Sequence, residues 1–421
     1  MKSIAIIGTG IAGMGCGYFL KGKYDISFYE KNNYSGGHTN TLTINEDGQP
    51  IYIDSGFIVY NEVTYPNLTR LFKELDVTTM PTTMSFSVQH LPSGLEYSGA
   101  GLGGLFVQKK NIFSRRYWRM LGDMDRFNKE APEVLENDKY LSYTILDYVK
   151  ENKFCDDFLS KFLVPISSAV WSTPFELLSD FPIVTLVRFF KNHGFLGLYT
   201  HYQWRTVIGG SRIYRDKILD SFKGRIFLNR GATKIIREND KVVVYDAQGQ
   251  KASYDKVIIA SHADEALGLL AAPTELEKKL LVNFKYQKNH VTLHTDRLVM
   301  PKSRRAWSAW NSRIEFNQKG QLVPSTIYYM NSLQKVSNKK DYFISVNDPG
   351  GIDRSKIIWE NDYTHPIYNV TTIEAQGELP KLNQNGSIYF CGSYFRYGFH
   401  EDAFNSALDV ASLILGKRVW S

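Results

Sequence analysis

The clearest hydrophobic pattern in the chain is the apolar run Ser3-Ile4-Ala5-Ile6-Ile7, which predicts a strand buried on both faces and is followed by Gly8, Gly10 and Gly13. A helix is expected from near Ile11, and a second strand over Asp25-Ile26-Ser27-Phe28-Tyr29, ending at Glu30. A parallel sheet needs a tight turn where its first strand feeds a helix, and glycine lets the backbone both make that turn and approach a pyrophosphate. The helix start then directs its free amides and positive dipole end at the phosphates. Glu30, twenty residues after Gly10, stands where a carboxylate accepts both hydroxyls of an adenosine ribose, favouring an unphosphorylated one. The pattern therefore predicts a dinucleotide site in a βαβ unit running to about residue 63, with Gln49–Asp54 as its third strand.

Beyond that unit the pattern predicts a helix over 66–75, short strands within 83–97 and a basic helical stretch to about residue 127. Residues 140–203 read as largely helical and rich in aromatics. A second block of α/β character starts at Arg205, with a strand over 225–228, a hairpin over 233–237 and 241–245, and a strand over 256–260. Strands are expected across 289–347, then a last unit of strand 387–391, loop and helix 403–415. The expected fold is α/β: a Rossmann-type dinucleotide domain built from 1–63, 205–268 and 384–421, interleaved with a substrate domain of mixed sheet and helices built from 64–204 and 269–383.

Composition narrows the class. The 421 residues are 43% hydrophobic and 22% charged, as in a folded soluble protein, and no apolar run is long enough to span a bilayer. The first strand starts almost at the N-terminus, leaving no room for a targeting peptide, so a cytoplasmic location is expected. Cys16, Cys155 and Cys391 lie far apart without CxxC or His/Cys clustering, so they are expected to be buried reduced thiols, with neither a disulfide framework nor a metal site. The net charge of +7 suits an acidic partner or an anionic lipid surface; no nucleic-acid-binding signature accompanies it. Between Gln108 and Arg119, Lys109, Lys110, Arg115, Arg116 and Arg119 interleave with Phe113, Tyr117 and Trp118. That stretch suits peripheral docking at the inner face of the membrane, or equally a solvated helix face backed by core aromatics.

Two further glycine groups bear on the dinucleotide. Gly36-Gly37-His38 suggests the chain folding back beneath the same pyrophosphate, and Gly392 and Gly398 precede a helix whose first turn carries Glu401 and Asp402. A second helix N-terminus of this kind suits a flavin ribityl chain or pyrimidine carbonyl, whose charge it would stabilise on reduction.

With these residues the chain resembles the flavin-containing amine oxidoreductase superfamily, which includes monoamine oxidases, protoporphyrinogen oxidases and phytoene-type desaturases. Within it, the chain looks most like bacterial predicted NAD/FAD-binding proteins associated with cyclopropane or branched fatty-acid genes. That closer likeness rests on residues 54–61, 64–67, 84–87, 169–173, Trp204 with Gly209-Gly210-Ser211, 293–296, 309–311 and 398–402. The resemblance implies FAD, with adenosine at Glu30 and Lys31, adenine near Ala232, and pyrophosphate at Gly8, Gly10, Ile11, Ala12, Gly13, Gly36 and Gly37. It implies the ribityl chain near Gly392, Glu401 and Asp402. His38, where many relatives carry Arg, either contacts phosphate or flavin or caps the turn.

The resemblance also implies hydride transfer from a substrate carbon to flavin N5. Amine-oxidising relatives commonly place a Lys near N5; here Asn289 or His290 falls at that place, and Lys285 and Lys288 are out of register, which argues against plain amine oxidation. Phe399 matches one position of the aromatic cage and Tyr363-Thr364-His365 offers the other wall, although both also suit core packing. His294 with Asp296, His365, and His400 beside Glu401 are the candidates for general acid or base work. The expected function is an FAD-dependent oxidoreductase acting on an apolar substrate, a fatty-acyl chain or one still attached to phospholipid. The alternatives are an amine oxidase, or a non-catalytic FAD and lipid-binding partner of a lipid methyltransferase.

Overall fold

A computed structural model describes residues 1–171, 180–197, 202–384 and 386–420. Strand β1 (Ser3–Ile7), helix α1 (Ile11–Leu20) and strand β2 (Asp25–Tyr29) form the expected unit. They belong to a five-stranded parallel sheet in the order Ile226–Phe227, β2, β1, Lys256–Ile259, Ile388–Phe390. Ile4, Ala5, Ile6 and Ile7 are all buried because helices and a second small sheet cover both faces.

The glycines of α1 set how closely the layers approach. A Cβ on Gly13 would lie 2.1 Å from the Gly8 carbonyl oxygen, and one on Gly15 would lie 2.9 Å from the Ala407 Cβ of the last helix, His400–Leu415. Only side-chain-free positions let α1 sit this close to β1 and to the last helix. Cys16 and Cys391, remote in sequence, meet in this layer with their Sγ atoms 3.7 Å apart and both buried; Cys155, expected to be buried, is partly exposed.

Two expectations are corrected. Gln49–Asp54 (β4) does not extend the parallel sheet; it pairs with Thr41–Glu46 (β3) as an antiparallel hairpin. The last helix starts at His400, three residues earlier than its apolar pattern suggested, with Phe399 as its N-cap residue.

A seven-stranded sheet forms the other half of the molecule, ordered Ile357–Ile367, Lys285–His294, Phe343–Val346, Leu322–Tyr329, Trp310–Phe316, Phe86–His90, Leu95–Ser98. Beside it a helical module that includes Ile145–Glu151, Val164–Trp171 and Ile183–Asn192 closes over an aromatic core of Phe127, Phe158, Phe181 and Phe190. Part of the largely helical stretch expected over 140–203, with Ser172 and Thr173 of the motif at 169–173, lies outside the described residues. Asp54 joins the two halves: fully buried, it accepts bonds from the Ser211 N–H, the Ser211 and Thr41 hydroxyls and Gln334 Nε2. Among the described residues no helix is long and apolar enough to cross a membrane.

Candidate active site

A cavity of about 780 Å³ runs between the two halves, within the range of about 300–1,000 Å³ usual for ligand sites. One end is built where the parallel strands terminate. Gly8, Thr9, Gly10, Ile11 and Ala12 line it with Glu30, Lys31, Gly37, Ala232 and His262. Glu30 is buried and oriented by the protein: the Thr9 hydroxyl donates to Oε2 at 2.5 Å and the Asn32 N–H to Oε1 at 2.9 Å. The Thr9 hydroxyl also accepts the Gly36 N–H at 3.0 Å, which fastens the Gly36-Gly37 turn under the Gly8–Gly13 turn. Gly36 and Gly13 do not themselves line the cavity; they set its floor, Gly36 with a φ of +116° and Gly13 by its contact with β1.

Three observations test whether FAD fits here. Helix α1 begins at this end without a side-chain cap and without an acidic residue in its first turn, so its first amides are free to meet phosphate. A Cβ on Gly10 would meet nothing within 4 Å, so the turn faces open space rather than protein. His38 Nε2 and the Tyr368 hydroxyl, both of residues on the cavity wall, are buried polar atoms with no hydrogen-bond partner among the described residues. The residues present fit the cofactor. Lys31 is partly committed elsewhere, its Nζ 2.5 Å from Glu265.

The other end is aromatic. Val170, Trp171, Phe189, Phe195, Trp204 and Phe399 line it, and the Phe399 ring stacks on Phe189 at 4.8 Å. Opposite stand Tyr363, Thr364 and His365 on the strand Ile357–Ile367. Tyr363 is held by Asn40 Nδ2 at 3.0 Å and Ser55 Oγ at 2.8 Å, and its ring stacks on His38 at 4.7 Å.

His365 carries the most determined geometry of the site. The backbone N–H of His290 donates to Asn347 Oδ1 at 3.0 Å, so Asn347 Nδ2 turns to Asn289 Oδ1 at 2.7 Å. Asn289 Nδ2 then donates to His365 Nδ1 at 2.6 Å. A peptide N–H can only donate, so it orients both amides and leaves the His365 proton on Nε2. Burial pushes the His365 pKa down to about 4, so the ring is a neutral Nε2–H donor at physiological pH. His38, His262 and His400 are also held neutral by burial, His400 down at about 3. His400 lies on Phe57 at 3.9 Å with Nε2 2.7 Å from the Tyr214 hydroxyl.

Several sequence-derived assignments change. His294 does not line the cavity: its Nδ1 accepts the Asp296 N–H at 3.1 Å, its Nε2 is 2.8 Å from Ser345 Oγ, and Asp296 is paired with Lys356. Both nitrogens are therefore used in holding a strand end. Glu401 and Asp402 also stand off the cavity wall, which the last helix meets through Phe399, His400 and Ala403. Glu401 caps Pro66–Glu74, accepting the Asn67 and Leu68 N–H groups at 2.9 Å each, and Asp402 accepts the Phe399 N–H at 3.0 Å. Cys391 turns toward Cys16, while Gly392 beside it lines the cavity. Of the two residues at the amine-oxidase lysine position, Asn289 is buried and tied to His365, and His290 is on the exposed face between Glu360 and Asp362.

Sequence reasoning missed His262, Asn347 and most of the aromatic wall. His262 follows the carboxyl end of the strand Lys256–Ile259, the end of a parallel sheet where ligands bind, so its position was a usable signal. Asn347 and the Phe189 and Phe195 rings carry none, since only strand pairing places Asn347 behind Asn289 and only helix packing brings the rings to the cavity.

Comparison with known proteins agrees with this architecture. Wild-type putrescine oxidase bound to putrescine is similar over 99% of each chain, with 12% identity and a TM-score of 0.68. Cyclohexylamine oxidase from Brevibacterium oxydans IH-35A is similar over 98% of this chain and 99% of its own, with 14% identity and a TM-score of 0.69. The CLA-producing fatty acid isomerase from P. acnes is similar over 99% and 98%, with 13% identity and a TM-score of 0.66. At these identities the likeness is one of fold. No protein of curated function matches the sequence significantly. The sequence profile of the flavin-containing amine oxidoreductases matches residues 11–303, more than half of the chain, and the protein belongs to that family as an FAD-dependent oxidoreductase.

Proposed function

We propose that the protein oxidises an apolar substrate of fatty-acyl type, removing two hydrogens to introduce a double bond into a hydrocarbon chain. The observation that carries this reading is the aromatic wall of Val170, Trp171, Phe189, Phe195, Trp204 and Phe399, a run of uncharged side chains that offers an alkyl chain burial. Asn289, tied to His365 where amine-oxidising relatives commonly carry a lysine, supports it further.

When bound, FAD supplies a two-electron acceptor that takes a hydride at N5. Glu30 would hold the adenosine ribose, the free amides of α1 would meet the phosphates, and Gly37 with Ala232 would border them. The aromatic wall aligns the substrate carbon and excludes water. His365 keeps its proton on Nε2 and can donate a hydrogen bond to a polar group of the ligand without itself becoming charged.

Lipid turnover tests the reading. Mixed anaerobically with phospholipids or free fatty acids, the oxidised flavin band should bleach and mass spectrometry should find an acyl product. Bleaching by simple amines, with peroxide released in air, would replace this reading with amine oxidation.

A further inference from the structure

The segment from Tyr97 to Gly122 contains no acidic residue and five basic ones, Lys109, Lys110, Arg115, Arg116 and Arg119. In the fold it forms one surface. The short 3-10 turn Lys109–Phe113 leads into the helix Arg115–Glu130, whose Tyr117 and Met120 point inward while Arg115, Arg116, Trp118 and Arg119 point outward. The turn is fastened to the helix, since the Trp118 Nε1–H donates to the Ile112 carbonyl at 2.8 Å and the Tyr117 hydroxyl to the Leu105 carbonyl at 2.6 Å. Arg116 is drawn onto the buried Asp157. Lys109, Lys110, Arg115 and Arg119 form no salt bridge among the described residues.

Within this ring of free cations stand large apolar side chains that the fold leaves in water: Phe113 is 89% exposed, Leu102 73%, Trp118 50% and Ile112 46%. Four such residues on one module exceed the scattered exposure expected of an inert surface. We propose that this face docks on an anionic phospholipid bilayer. Aromatic and aliphatic side chains enter the headgroup boundary while the surrounding cations meet lipid phosphates, and a bilayer interface satisfies both demands together. None of these residues lines the cavity, so the inference stands whatever the site oxidises.

The full FAD-loaded chain is sedimented with vesicles of phosphatidylcholine alone and of equimolar phosphatidylcholine and phosphatidylglycerol. Binding is expected only with the anionic vesicles and should weaken as salt rises. Each free cation should contribute about fivefold. Replacing all four (Lys109→Ala, Lys110→Ala, Arg115→Ala, Arg119→Ala) should therefore lower affinity by several hundredfold, roughly. Phe113→Ser, a single exposed change that leaves the core intact, should lower it about tenfold. Retained flavin absorbance and melting temperature identify folded variants, and the salt series and Phe113→Ser decide the matter if the fourfold variant does not fold. Equal binding to both vesicles, no binding to either, unchanged binding by the variants, or capture by polyglutamate without vesicle binding would overturn the proposal.

Discussion

Asn289 Nδ2 donates to His365 Nδ1 across 2.6 Å, and that bond fixes the His365 proton on Nε2. Its direction is inherited from the His290 backbone through Asn347, so a main-chain group of the next residue in the same strand sets the hydrogen-bonding character of a cavity side chain.

Asn289→Asp should reverse this arrangement. A carboxylate accepts where the amide donated, moving the proton to Nδ1 and raising the His365 pKa from its low value of about 4. Turnover should fall about tenfold, the effect of losing one Nε2–H hydrogen bond to the ligand. A new acidic limb should appear in the pH–rate profile above pH 5, where the parent enzyme shows none from this residue. Nitrogen NMR of labelled histidine reads the tautomer directly.

The relay also marks where sequence reasoning stops. Gly8, Gly10, Gly13 and Glu30 were legible because the chemistry they serve is local, spanning one strand, one turn and one helix. The hairpin of β3 and β4 had a signal that was passed over, Asp47-Gly48 with φ of +51° and +83°, the dipeptide that favours a tight hairpin turn. His294 and His365 look alike in sequence, each a histidine in an apolar strand. Only the pairing of Lys285–His294 with Ile357–Ile367, which sets Gln287 opposite His365 and Asn289 opposite Tyr363, separates the structural histidine from the cavity one. The capping role of Glu401 was hidden for a related reason, because Asn67 and Leu68 lie more than three hundred residues away from it.

The two glycines of the turn should respond oppositely to alanine. Gly13→Ala places a Cβ 2.1 Å from the Gly8 carbonyl and should destabilise the protein by about 3 kcal/mol or more, lowering the melting temperature even without flavin. Gly10→Ala meets no protein atom within 4 Å and should leave the flavin-free melting temperature nearly unchanged while weakening FAD binding. Calorimetry of the flavin-free protein and flavin titration separate the two effects.

Between about pH 4 and 6.5 two opposing linkages act, and stability should rise with pH because four histidines outweigh one aspartate. His38, His262, His365 and His400 have pKa values depressed by burial; their contribution is complete above the unfolded histidine value and is lost as pH falls through the folded values, on the order of 1.4 kcal/mol per pH unit for each. Asp402 is raised by burial to about 7, so its contribution is complete below the unfolded aspartate value and is lost as pH rises toward 7. Asp402→Asn retains an acceptor for the Phe399 N–H and should remove this second slope. Denaturant melts between pH 4 and 8 test both signs.

Cys16 and Cys391 should be inert to maleimide in the folded holoenzyme, since both are buried and burial raises the Cys16 pKa. Partly exposed Cys155 should react first, and all three should react after unfolding. Mass spectrometry of the labelled peptides reads the order.

The most direct test of the account is anaerobic stopped-flow absorbance of the holoenzyme against matched substrates, an acyl chain and a primary amine of similar length. Bleaching of the oxidised flavin by the acyl chain alone, slowed at least tenfold when Phe399 is replaced by Asp, is the predicted result. Bleaching by the amine with the acyl chain inert, or faster amine reduction in the Phe399→Asp variant with no acyl reaction in either protein, would contradict it.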